Sequence, residues 1–237
     1  MLTFALVFGC LLGGHALVLA AFAALRGRRG SAPRRRRSSL LASARYAVEF
    51  VGTEALMLTG ALELGVIRLS RFSLAGTLAT LLAGFLAWEI WFYAGHRLLH
   101  TRWLYPLHRP HHAEEGLHAS LCFSAGETML LSSGYYVPLA IASHVSQAVS
   151  VPTLVLAFSI AHVLNVVSHL DFDLFGAHFE TNPLRHVLNS TRYHALHHAG
   201  RRGNYGLNAP WLDRLFGTEV APRVGQADLA EGTPSAP

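Results

Sequence analysis

Fourteen of the chain's 15 histidines follow position 95, and eight of them fall into three tight clusters. The first is "HRLLH", with His96 and His100; the second is "HRPHH", with His108, His111 and His112; the third is "HALHH", with His194, His197 and His198. His169 stands alone at the end of an apolar run. On a helix, residues at i and i+4 share a face one turn apart, as a chelating pair of imidazoles requires. The second and third clusters share the spacing HxxHH, from which all three imidazoles are expected to converge out of one helical turn. Burying so many imidazoles without partners would strand their nitrogens. A metal satisfies one nitrogen of each ring, and a carboxylate or carbonyl satisfies the other. Eight or nine ligands exceed the four of a closed zinc site, so two ions are implied. Imidazole suits iron, zinc, copper and nickel alike, so the ligand type alone does not choose the metal. No HExxH is present, against a membrane zinc protease, and there is no Glu/HxxE set of the ferritin kind.

The elements that hold these clusters are apolar. Of 237 residues 51% are hydrophobic and only 14% charged, well below the roughly 25% charged of a soluble domain. Residues 2–25 carry no charge, enough for a membrane-crossing helix, and lack the basic flank of a signal peptide. All 19 basic residues are Arg, giving a net charge of +5. Seven of them (Arg26, Arg28, Arg29 and Arg34 to Arg37) lie within residues 26–39 of one linker, residues 26–45, which the positive-inside rule places in the cytoplasm. The linker has no aromatic residues to stack bases, so nucleic acid is not expected as a partner. A membrane domain is expected over 46–221 and a disordered tail over 222–237.

Within that domain, residues 46–67 carry Glu49, Glu54 and Glu63, which must face protein or an interface rather than lipid. Residues 74–95 form a clearer span, ending in an expected aromatic belt of Trp88, Trp91, Phe92 and Tyr93. The segments 128–142 and 148–168, broken by Pro138 and Pro152, form either two thin spans or a re-entrant hairpin. Counting spans from the Arg-rich linker brings every histidine cluster to the same, cytoplasmic face. The expected fold is therefore all-α: a polytopic membrane helical bundle with a cytoplasmic helical cap carrying a histidine-rich di-metal site. Cys10 and Cys122 sit in apolar sequence and read as buried hydrophobes.

From Trp88 to Thr218 the chain resembles the fatty acid hydroxylase/sterol desaturase superfamily of integral membrane di-iron oxygenases. The stretches that carry the resemblance are "EIWFYAGHRLLH", "LYPLHRPHH", "SHLDFDLF", "TRYHALHHAGRRGNYG" and "LDRLFGT". The ending "NYG…LDRLFGT" sets it apart from the other membrane desaturases with histidine boxes. The resemblance implies two iron ions, replaceable by zinc in a purified sample, held by His96, His100, His108, His111, His112, His194, His197 and His198, with His169 as the additional ligand. His118, His162, His178 and His186 are left without an assigned role, and His15 and His144 are expected to be interfacial or buried without metal. Glu89 and Glu127 fall where the family often has an acidic residue, either supporting the site or hydrogen-bonded within the bundle. "AEEGLH" follows the second box where a Ser-containing turn is expected.

The implied activity is O2-dependent oxidation of a lipid C–H bond, either hydroxylation or desaturation, on a fatty acyl, sterol or related chain in the bilayer of a bacterial inner membrane. The sequence holds no Gly-rich flavin fingerprint and no Cys cluster for iron–sulfur, so a separate ferredoxin- or cytochrome-like protein is expected to donate electrons. Arg97, Arg102, Arg109, Arg192, Arg201 and Arg202 ring the clusters and suit an acidic donor or an anionic headgroup. Two other classes remain open at this point: a metal transporter or sensor without turnover, and a metal-dependent hydrolase of lipid headgroups.

Overall fold

The computed structural model describes residues 2–28, 40–172, 174–176, 179, 181–200 and 202–220. Most of the Arg-rich linker, Arg201, His178 and the expected disordered tail lie outside the described residues. Among those described, the regular structure is entirely helical. Five long helices form a bundle: α1 (Leu2–Arg28), α2 (Leu40–Glu63), α3 (Leu74–Leu99), α5 (Ala125–Val145) and α6 (Val151–Ser168). Three short ones, α4 (Tyr105–His112), α7 (Thr191–His198) and α8 (Trp211–Leu215), lie in the segments between and after them.

α1, α3 and α6 are long and apolar enough to cross a membrane. α5 has 21 residues, about 31 Å at 1.5 Å per residue, so segment 125–168 consists of two long helices, of which α6 is long and apolar enough to cross. Polar residues mark where the chain enters each helix. The hydroxyls of Ser73, Ser124 and Ser150 accept from the backbone N–H groups of Gly76, Glu127 and Thr153, capping α3, α5 and α6. Gly65, at φ +68°, ends α2 in the left-handed conformation that favours glycine.

α5 packs against α3 and α2, while α1 packs against α2 and α6. The closest approach is between α5 and α3. A Cβ on Gly134 would stand 2.7 Å from Trp91 Cδ1 and 2.9 Å from Trp88 Cδ1. Trp91 is itself fixed, donating from Nε1 to the Leu130 carbonyl at 2.7 Å. A glycine at this crossing therefore lets two backbones come together, as small residues do between membrane helices.

Several sequence expectations change in detail. α2 starts at Leu40, six residues before the expected start of the second span, because the helix-favouring "LLASAR" joins it despite its charge. α1 is part of the bundle: the Arg26 guanidinium pairs with Asp171 at 3.0 Å, just past α6. The aromatic belt is largely interior. Trp88, Phe92 and Tyr93 are buried, because Trp88 and Phe92 share the inward face of α3 that continues to His96. Glu54 is buried against Ser132 and Tyr136, Glu49 accepts from the Ala125 N–H at 2.8 Å, and Glu63 is exposed at the end of α2.

The ends of α3 and α6, the start of α5 and the Arg26 end of α1 all meet at one end of the bundle, and every histidine cluster is there. Substituting Gly134→Ala should force α3 and α5 apart at a cost of about 1–3 kcal/mol. Gly84→Ala, where nothing lies within 4 Å of the added methyl, is the control. Unfolding in detergent should show a lowered midpoint for the first variant alone; equal midpoints would contradict this packing.

Candidate metal centre

The nine clustered histidines converge into two groups. Ring nitrogens of His96, His100, His108, His112 and His197 lie within 4.8 Å of one another, as do those of His111, His169, His194 and His198. The contacts run Nε2 to Nε2. In the first group they include His96–His108 at 3.1 Å, His108–His112 at 3.0 Å, His112–His197 at 3.1 Å and His100–His197 at 3.0 Å. The second group closes into a ring: His111–His169, His169–His194 and His194–His198 at 3.1 Å, and His198–His111 at 3.0 Å. The two groups adjoin, with the rings of His112 and His198 stacked at 4.6 Å.

The helical period explains the division and corrects one expectation. HxxHH does not aim three rings at one point. At 100° per residue, positions i and i+4 lie about 40° apart, while i+3 lies on the other side of that pair. His108 and His112 therefore enter the first group while His111 turns to the second. In the third cluster His194 and His198 enter the second group while His197 turns to the first. His96 and His100 are also an i, i+4 pair. Each group is thus assembled from such pairs plus single histidines from other elements.

The far nitrogen of several rings is already occupied. Nδ1 of His96 donates to the Tyr205 carbonyl at 2.8 Å, that of His197 to the Gly203 carbonyl at 2.8 Å and that of His169 to the Asn165 carbonyl at 2.7 Å. A carbonyl only accepts, so the proton is on Nδ1 and the Nε2 of each neutral ring is a bare lone pair. Nδ1 of His108 meets Glu127 Oε1 at 2.6 Å, so this carboxylate supports the site directly. Burial drives His100 down to about 4, His112 to about 3, with the charge of His100 adding to it, and His169 to about 4. Burial and then neighbouring imidazoles hold His108, His111, His194, His197 and His198 well below the usual value. Neutral rings with lone pairs facing one another at about 3 Å repel, and a cation between them removes that repulsion. The donor set fits two metal ions.

The segment 203–220 braces the first group. Asp213, fully buried, accepts from the Tyr205 N–H at 2.9 Å, the Gly206 N–H at 2.7 Å and the Thr218 hydroxyl at 2.7 Å. Asn204, at φ 53°, donates through its side chain to the Tyr193 carbonyl at 3.1 Å and accepts from the Val220 N–H at 2.7 Å. Gly203 sits at φ +126°, where a Cβ would meet the Thr218 carbonyl at 2.3 Å. This network aims the two carbonyls that orient His96 and His197, and gives the "GNYG" and "LDRLFGT" stretches a physical role. Sequence reasoning noticed those stretches but assigned them no function; a carboxylate seven residues after a Gly–Asn–Tyr–Gly turn was the available signal. Glu89 accepts from the Asn208 side chain at 2.6 Å, tying α3 to the same segment.

The remaining histidines are elsewhere. His118 is exposed on the turn Gly116–Leu121, His144 contacts the Val66 carbonyl at 3.1 Å, and His186 lies 3.1 Å from an Arg214 guanidinium nitrogen. His15 and His162 pack together deep in the bundle, ring centroids 3.5 Å apart.

Fold and site together define a membrane helical bundle with a two-compartment histidine centre at one end. The fatty acid hydroxylase family model matches residues 81–218, more than half of the chain, and the chain belongs to that family. It is 30% identical over 152 residues to methylsterol monooxygenase 1 of Rattus norvegicus, covering 61% of this chain and 47% of that protein. It is 30% identical over 139 residues to the same-named protein of Gallus gallus, covering 55% and 43%. It is also 30% identical over 139 residues to very-long-chain aldehyde decarbonylase GL1-6 of Oryza sativa subsp. indica, covering 55% of this chain and 21% of that one. The chain thus spans less than half the length of these relatives. No solved structure matches it.

Two outcomes follow. Replacing Asp213→Ala should release the Tyr205 carbonyl and weaken metal binding at the first group by about 10- to 100-fold. Metal analysis after dialysis against a weak chelator should then show about half the wild-type content, and full retention would contradict the bracing role. The second outcome concerns pH. The folded histidines take up protons only well below the unfolded value of 6.5, so the unfolded state binds more protons at mildly acidic pH. Stability of the metal-free protein should be full above 6.5 and fall as pH drops toward about 4. A melting midpoint that stays flat over that window would contradict the buried, neutral state of these rings.

Proposed function

We propose that this protein is an O2-dependent membrane oxidoreductase that hydroxylates or desaturates a lipid chain. The observation that carries the reading is the pair of adjoining histidine groups placed directly over an apolar membrane core. The Phe123 ring stacks on His111 at 4.4 Å and the Phe92 ring lies 5.2 Å from His96. Beneath them Trp88, Leu99, Leu131 and Leu207 complete one buried cluster. An alkyl substrate already in the bilayer reaches this end of the bundle without crossing water. The family membership and the names of the relatives support the same class of chemistry.

Two iron ions fit the donor set, one held by His96, His100, His108, His112 and His197, the other by His111, His169, His194 and His198. When bound, they supply reductive activation of O2 against an unactivated C–H bond. The chain's own residues do the rest. The carbonyls of Tyr205, Gly203 and Asn165 and the carboxylate of Glu127 fix ring orientation and tautomer. Phe92 and Phe123 keep water from the substrate side and set the substrate's position, which decides between hydroxylation and desaturation. Electrons come from a separate ferredoxin- or cytochrome-like protein. Exposed Arg97, Arg102, Arg109 and Arg202 near the centre suit an acidic donor surface. α1 ends and α2 begins at the same end, and the Arg-rich sequence between them favours the cytoplasmic face of a bacterial inner membrane for the centre.

Comparing the lipids of cells carrying the wild type and the His111→Ala variant tests the reading. A lipid heavier by one oxygen, or lighter by two hydrogens, should accumulate only with the wild type and only in the presence of O2. Unchanged lipids, or product formed under strict anaerobiosis, would overturn it.

A further inference from the structure

α1 rests one side on α2 and α6 and leaves most of its other side chains exposed, and among its described residues only one side chain is buried. That side chain is His15, 6% exposed. It meets His162 of α6, 9% exposed, and Phe50 of α2. Putting two imidazoles into the apolar interior of a membrane bundle is costly unless they bind something. Within the chain their partners are incomplete. Nδ1 of His15 donates to the Leu11 carbonyl at 2.7 Å, which leaves Nε2 as a bare acceptor. That Nε2 and both ring nitrogens of His162 are buried and make no well-formed hydrogen bond.

His15 and His162 line a cavity of about 60 Å³ whose other walls include Phe50, Phe92, Phe123 and Leu207 and the polar Glu54, Thr128 and Ser132. Phe92 and Phe123 are the rings that touch His96 and His111, so the cavity ends against the histidine centre. Asn165 also lines it, and its carbonyl orients His169. A second, more apolar groove of about 70 Å³ shares Trp88, Tyr135 and Ala161 with the first as a common wall.

We propose that this cavity binds the hydroxyl group of a lipid that is already oxygenated, through His15 and His162. This rests on reading the histidine centre as the oxidising site. A hydroxyl is the group that fits: it donates to the bare Nε2 of His15 and accepts from the N–H of His162. A ketone or aldehyde has no proton for His15, a hydrocarbon has nothing for either ring, and an anionic headgroup would meet the buried Glu54 that also lines the cavity. The spacing adds a length. His162 and His169 lie seven residues apart on one helix, roughly 10 Å at 1.5 Å per residue. The substrate class is therefore a lipid alcohol whose hydroxyl lies roughly 10 Å from the carbon to be oxidised, and an earlier hydroxyl-installing reaction must supply it.

The test is binding rather than turnover. The full chain, loaded with iron in lipid nanodiscs without O2, is titrated with two matched sets: octadecanol, octadecanal and octadecane; and cholestanol, cholestanone and cholestane. In at least one set the alcohol should bind about tenfold more tightly than the hydrocarbon, equivalent to about 1.4 kcal/mol, with the carbonyl compound close to the hydrocarbon. His15→Phe and His162→Leu should each reduce that ratio to about twofold or less. His15→Gln, which keeps an acceptor, should retain part of it. Iron per chain, measured on the same samples, should stay at the wild-type value in all three variants. The proposal is overturned if no alcohol binds, if alcohol and hydrocarbon bind equally (the result expected if only water occupies the cavity), or if the preference survives both His15→Phe and His162→Leu. A wild type that fails to hold two irons instead overturns the oxygenase reading, so the two failures are distinguishable.

Discussion

The structure depends on one constraint: nine imidazoles, six buried and three half-buried, must present bare nitrogens to two small volumes. Bare lone pairs about 3 Å apart repel, and metal-free imidazoles in an apolar interior also resist protonation. The fold accepts that cost and directs it. Carbonyls from Tyr205, Gly203 and Asn165 take the Nδ1 protons of His96, His197 and His169, which fixes the opposite nitrogen as a donor to metal. Asp213, Asn204 and Thr218 hold two of those carbonyls in place. The "NYG" and "LDRLFGT" segments are thus as much a part of the centre as the rings, although none of their side chains enters either group.

The membrane bundle is arranged around the same requirement. α3 and α6 deliver His96 and His169 at their ends, and α5 begins with Glu127 against His108. Gly134 draws α5 onto α3 so that Trp88 and Phe92 floor the centre with apolar surface. Arg26 of α1 reaches Asp171 beside His169 and brings His15 to face His162. The result is polar chemistry at one end of an apolar interior, with the internal His15–His162 pair as the exception that needs a ligand to explain it.

Much of this was legible in the sequence because histidine clusters and hydropathy are strong local signals. The three boxes, the helical class and the common end of the clusters follow from spacing and from counting spans, while His169 as a further ligand came from the family resemblance. The assignment of rings to groups did not. HxxHH read as one converging triple, whereas the helical rotation sends His111 and His197 away from their neighbours, and only the packing of α4 against α7 shows where they go. The aromatic run Trp88 to Tyr93 looked like an interfacial belt because its composition is the same whether it faces headgroups or protein. The start of α2 was masked by arginines, which helices carry readily. Asp213 stood in a quoted stretch without a role, and the carbonyls it positions were invisible, since a backbone carbonyl has no residue type to read.

The most direct test of the central claim is X-ray absorption at the iron edge of the full chain loaded anaerobically, combined with an iron count. The account predicts two irons per chain, each in a shell dominated by imidazole nitrogen. One iron per chain, or a shell dominated by carboxylate oxygen, would contradict it.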